Sequence, residues 1–238
     1  MKIEKYFSLL NQESQDIFNE TINHSDAFVC AHASAVELFE ISRVTDVDVS
    51  KMIQVVCSQI ESSCLAMALG LYRSSFSSLR LSLELGLGSV WFSTNKLLYK
   101  EWINGEVEAD IRWSTLNNPD SGVFSPRIAR AFFSDLNDFS KLYQDRARVV
   151  YRSLSEYVHG NNETWKKTGV NLSYSSDLYV AYLGCLKEVS EVIKFSLVLR
   201  FLKEMNQSQL DKLEPVVLGS FNHVEPIRIL FGGPQDIK

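Results

Sequence analysis

The placement of proline constrains this chain more than any other feature. Its five prolines are Pro119, Pro126, Pro215, Pro226 and Pro234, and none falls in 1–118 or 127–214. A proline inside a helix removes a hydrogen bond and clashes with the preceding turn, at about 3 kcal/mol. Two long proline-free blocks therefore flank a break at Asn117-Asn118-Pro119-Asp120-Ser121-Gly122, which has the composition of a turn-rich loop. Neither block alternates with a period of two. Both repeat apolar residues at spacings of three and four, the period of an amphipathic helix. The fold class is all-α.

The same pattern predicts helices at about 12–44, 50–69, 71–104, 125–159 and 176–206, with shorter pieces at the N-terminus and around 207–214. Ser125-Pro126 supplies an N-cap followed by proline at the first helical position, and Ser175-Ser176-Asp177 is a second cap-rich start. The helix from 125 is expected to break near Ser134. His159-Gly160 offers a glycine stop. Residues 167–174 are expected to form a short extended excursion. The tail, 207–238 and above all from Val216 onward, with Pro226, Pro234 and Gly232-Gly233, is expected to be mostly irregular. One helical domain with a mid-chain loop is the simplest organisation.

Charge and cysteine content narrow the function classes. A formal net charge of −5 argues against coating nucleic acid by charge alone. Residues 127–167 nevertheless hold eight basic and five acidic side chains, a local net of +3. Cys30, Cys57, Cys64 and Cys185 are scattered, with no Cys-x-x-Cys and no zinc spacing, so reduced thiols and no metal or cofactor are expected. Met1-Lys2-Ile3-Glu4-Lys5-Tyr6 has no apolar run behind its charges, and Arg73, Arg80 and Glu84 interrupt the most apolar stretch. A soluble, cytoplasmic protein without a membrane segment is the expectation.

Several features resolve into ordinary structure. His24 and His32, eight residues apart, fall about 80° off a common helix face, so a metal pair is not expected. Gly86 and Gly88 lie inside a helix and not after a strand, so they form no dinucleotide loop. Trp91, Phe92, Tyr99, Trp102 and Trp113 read as core filling, with a protein-interaction surface as the alternative.

One helix gathers charged and titratable side chains on a single face. With Arg152 at angle zero and a turn of about 100° per residue, His159 falls about 20° away, with Asp145, Arg148 and Glu156 within about 40°. Tyr143, Ala147, Val150, Leu154, Tyr157 and Val158 occupy the opposite side. Such a stripe is ordinarily a solvated face laced with pairs such as Arg152–Glu156. The same geometry presents an Arg and a His together, a combination that binds a phosphodiester and moves protons near neutral pH. On the preceding long helix, Arg73, Arg80 and Glu84 share a face leading to Leu87 and Trp91. Arg80–Glu84 is either a structural ion pair or the rim of the same cleft.

The segment Arg152-Ser-Leu-Ser-Glu-Tyr-Val-His159, an Arg with six residues before a His at a helix end, resembles the HEPN superfamily. The stretch Tyr72-Arg73-Ser-Ser-Phe76-Ser-Ser-Leu79-Arg80-Leu-Ser-Leu-Glu84 extends the likeness to an uncharacterised HEPN-like branch associated with bacterial defence and toxin systems. It covers about 50–205. The resemblance implies a homodimer that brings Arg and His of two copies into one RNA-cleaving cleft without metal. It makes His159 the acid/base and Arg152 the phosphate binder, with Arg73, Arg80, Glu84, Arg148, Glu156 and Asn161 as further substrate contacts. Active members carry Asn, Asp or His directly after the Arg, where this chain has Ser153. Inactive members act as binding modules, which gives the second expectation: a helical module for a protein or nucleic-acid partner in a defence or toxin–antitoxin complex.

Overall fold

The computed structural model describes residues 2–160 and 172–235. Among these residues every regular element is helical, as the proline and periodicity argument predicts. The α-helices are α1 (Ile3–Ile22), α2 (Asp26–Ser42), α3 (Val47–Ala68), α4 (Tyr72–Thr94), α5 (Lys96–Ile103), α6 (Trp113–Leu116), α7 (Pro126–Phe132), α8 (Asn137–His159), α9 (Ser176–Phe201), α10 (Gln207–Phe221) and α11 (Glu225–Leu230), joined in places by single 3₁₀ turns. None is long and apolar enough to cross a membrane.

The predicted starts form as capping chemistry requires. Ser125 and Ser175 accept bonds from the backbone N–H groups of Ile128 and Leu178, and α3 begins on an Asp46 carboxylate that accepts from Val49 N at 2.9 Å. α8 stops at Gly160, whose φ of +74° is a conformation that favours glycine. In the mid-chain loop Asn118 Oδ1 accepts from the N–H groups of Asp120 and Ser121. A Cβ at Gly122 would lie 2.5 Å from Leu116 O, so the loop can close only on glycine there.

Three stretches differ from the sequence expectation, each for a physical reason. The helix expected at 12–44 is two, because the Tyr179 hydroxyl donates to His24 O and accepts from Ala27 N, replacing helical bonds at the break. The helix expected at 71–104 breaks at Asn95, whose side chain donates to Trp91 O at 2.9 Å while Thr94 bonds back to the same carbonyl. The helix expected at 125–159 divides between α7 and α8 around Phe133–Leu136, as anticipated. The C-terminal tail is not irregular: α10 continues past Pro215 to Phe221, and α11 follows. Leu213, Val217 and Phe221 are fully buried at four-residue spacing, and their burial, about 2 kcal/mol each, outweighs the proline penalty. Of the excursion expected at 167–174, residues 172–174 are neither helix nor strand and the rest lies outside the described residues.

α3 and α4 pack antiparallel about the Gly70 turn and form the centre, with α2 against α3 and both α8 and α9 against α4. α9 is buried on all sides from Val192 to Leu199 and acts as the core helix of that layer. The thiols follow the same burial. Cys57 and Cys64 are pushed from 9.0 up to about 11, chiefly by burial, and Cys185 is also raised. Cys30 alone is exposed. Burial raises Tyr143, Tyr151, Tyr157 and Tyr182 as well. Groups raised in the folded state contribute fully below their unfolded values and lose that contribution as pH rises toward the folded ones. Urea midpoints are therefore expected to fall above about pH 9, and a thiol reagent at pH 8 to modify one cysteine quickly and three more only on unfolding.

Candidate functional site

α8 turns its apolar face inward through Ser140, Tyr143, Ala147, Val150 and Leu154, which leaves the stripe Asp145, Arg148, Arg152, Glu156, His159 on the outside. Along most of that stripe the side chains make surface pairs. Arg148 reaches Asp145 at 2.8 Å, and Arg152, 84% exposed, lies 3.6 Å from Glu156. Exposed pairs of this kind contribute about 0–1 kcal/mol and fix geometry weakly.

His159 is different, because α4 holds it. Arg80 Nη1 lies 3.0 Å from His159 Nε2. The same guanidinium donates from Nε to Glu84 Oε1 at 3.2 Å and from Nη2 to the Tyr151 hydroxyl. Its carbon sits 4.6 Å from the centre of the Tyr151 ring, and that ring stacks on Trp113 at 3.8 Å and 2°. Arg80 and Glu84 are 18% and 24% exposed, so the ion pair is half sheltered by α4 and α8. Burial pushes the Tyr151 phenol up, opposed by the Arg80 charge, so the phenol stays protonated at neutral pH. A guanidinium has no acceptor. A bond to Nε2 therefore uses the imidazole lone pair, the arrangement of the tautomer with its proton on Nδ1.

The last turn of α8 is fixed to α4 at two further points. Arg73 Nε donates to Tyr157 O at 3.5 Å, a cation at a helix C-terminus, and the Tyr157 ring stacks on Phe76 at 3.7 Å and 6°. Arg73 thus supports the helix end that presents His159.

The structure brings together Arg80, Glu84 and His159 of the predicted set, with Arg73 behind them. Arg148 sits more than two turns away on its own surface pair, and Arg152 and Glu156 point to the outside of the stripe. Asn161 lies outside the described residues. Two members of the cluster are absent from the predicted set. Tyr151 falls about 100° from the charged line on the helix, so the stripe conceals it. Trp113 was legible only as one aromatic among five. Ser153 turns the other way, with Oγ 3.9 Å from Cys185 Sγ, and lines a groove of about 360 Å³ between α8 and α9 with Leu142, Val149, Val150 and Gly184. His24 lies near Tyr174 and Tyr179, and His32 pairs with Glu61 at 3.0 Å. Among the described residues no group of His, Cys, Asp and Glu is placed to hold a metal ion.

The chain matches no known protein family, no curated protein and no solved structure.

Proposed function

We propose that this chain is a HEPN-like, metal-independent ribonuclease acting as a toxin or antiviral effector in the cytoplasm, and that it works as a homodimer. The observation that carries the reading is an exposed histidine at the end of α8, fixed by an arginine from α4, with a second, exposed arginine two turns back on the same face. His159 takes the proton of an RNA 2′-hydroxyl. The 2′-oxygen forms a bond to phosphorus as the bond to the 5′-oxygen breaks, and the departing 5′-oxygen takes back the proton that the His159 imidazolium then carries. The products are a 2′,3′-cyclic phosphate and a free 5′-hydroxyl, with no water consumed. Arginine charge stabilises the phosphorane-like transition state. Arg152 at 84% exposure is suited to reach the second copy, and the adjoining groove with exposed Leu142 and Val149 supplies apolar area for that contact.

A second reading, a catalytically inactive module that binds RNA or a partner protein, draws on two observations. The His159 Nε2 lone pair is occupied by Arg80, and Ser153 faces Cys185 instead of the stripe.

Complementation separates the readings. Arg152→Ala and His159→Ala chains are each expected to be inactive on RNA, and their co-refolded mixture to recover part of the wild-type rate, because one mixed site keeps both groups. RNA retention in a mobility-shift assay without cleavage by the wild type supports the binding module and ends the ribonuclease reading.

A further inference from the structure

The ribonuclease reading assigns phosphate binding to Arg152, yet that side chain is 84% exposed and, among the described residues, pairs with Glu156 at 3.6 Å. Arg80 is 18% exposed, fixed at Nε by Glu84, at Nη2 by the Tyr151 hydroxyl and across its face by the Tyr151 ring. Its position is set before any ligand arrives. Arginine has five N–H groups, and three of them are used here, which leaves one on each of Nη1 and Nη2.

We propose that Arg80 is the primary phosphate-binding group of the His159 site, and that it changes partner when a phosphodiester binds. This rests on the ribonuclease reading for its consequence, though not for its test. At rest Nη1 donates to His159 Nε2, and a nitrogen whose lone pair is engaged cannot act as a base. A phosphate oxygen is the stronger acceptor, because the bond to it joins opposite charges whereas the imidazole is neutral. The anion replaces Nε2 on Nη1 and uses the remaining N–H groups of the fork. His159 Nε2 is then free, beside the phosphate, to take the 2′-hydroxyl proton. Glu84 and Tyr151 are positioning residues: they hold Nε and Nη2, so only the Nη1 side exchanges. The cation that serves each histidine comes from the same chain, and Arg152 adds charge from the outside.

Nitrogen NMR of the imidazoles in the ¹⁵N-histidine-labelled full chain, which has four histidines, reads the exchange directly. The His159 signal is identified by its loss in His159→Gln. In the free wild type the Nδ1–H tautomer is expected at His159. Inorganic phosphate, and separately a dinucleotide with a 2′-deoxy attacking position, are expected to shift its Nε2 resonance saturably. Arg80→Ala is expected to weaken phosphate binding by at least about tenfold and Arg152→Ala by much less. Arg80→Lys keeps the charge but loses the fork, so it is expected to retain partial affinity with the resting tautomer bias gone. Thermal melts verify that each variant is folded.

An Nε2–H tautomer in the free wild type overturns the proposal. So does a phosphate response that survives Arg80→Ala or disappears in Arg152→Ala. The two readings fail separately. Phosphate exchange at Arg80 with no RNA cleaved leaves the anion site standing and removes the ribonuclease. RNA cleavage at the wild-type rate by folded Arg80→Ala removes this proposal and leaves the ribonuclease.

Discussion

Phe195→Ala is expected to lower the unfolding free energy by about 3–5 kcal/mol, read as a drop in the urea midpoint at unchanged slope. The ring is fully buried at the point where four segments meet. It stacks on Tyr143 of α8 at 3.7 Å and 4°, and meets Phe124 at the end of the mid-chain loop and Phe221 of α10. Its removal leaves a cavity and deprives the Tyr143 ring of its partner, while the Tyr143 hydroxyl already has no hydrogen-bond partner among the described residues. Aromatic contacts contribute about 0.5–1.5 kcal/mol beyond their area, which places this site above an average core deletion. Phe195→Leu refills much of the volume and is expected to lose less than half as much. Equal losses for the two variants would mean that the cluster does not organise the α8–α9 layer.

His159→Ala is expected to reduce RNA cleavage by about 10²–10⁴-fold, the range for removal of a general acid/base. The thermal midpoint is expected to change little, because the side chain is exposed and its bond to Arg80 is replaced by water. His159→Asn keeps a polar group of similar reach that cannot exchange a proton near neutral pH, so it is expected to be as inactive as the alanine variant. Recovery of activity in the asparagine variant would make His159 a structural hydrogen-bonding group.

How much of this was legible in the sequence follows from which physical terms are local. The all-α class is local: proline-free blocks with three- and four-residue periodicity admit little else, and Ser125-Pro126, Ser175 and Gly160 mark ends by chemistry confined to a single turn. The breaks at His24 and Asn95 are different. One depends on a Tyr179 hydroxyl more than 150 residues away, and the other on side chains competing for a carbonyl within an apolar run. The tail failed for the same reason as the first break. Pro215 is a local warning, and the burial of Leu213, Val217 and Phe221 that overrides it depends on tertiary packing. In the site, α8 runs unbroken from Asn137 to His159, the continuity that the Arg152–His159 spacing assumes, and the Arg80–Glu84 spacing foretold their pair at 3.2 Å. No spacing within one helix reveals that Arg80 reaches across to His159, 79 residues away, or that the Tyr151 ring, stacked on Trp113, lies against Arg80.

The most direct measurement of the central claim is incubation of single-stranded RNA with purified wild-type chain in excess EDTA, followed by end-group analysis of the fragments. Fragments ending in 2′,3′-cyclic phosphate and 5′-hydroxyl, formed by the wild type and absent with His159→Ala, are the predicted result. Intact RNA with the wild type, or cleavage that persists in the His159→Ala protein, contradicts it.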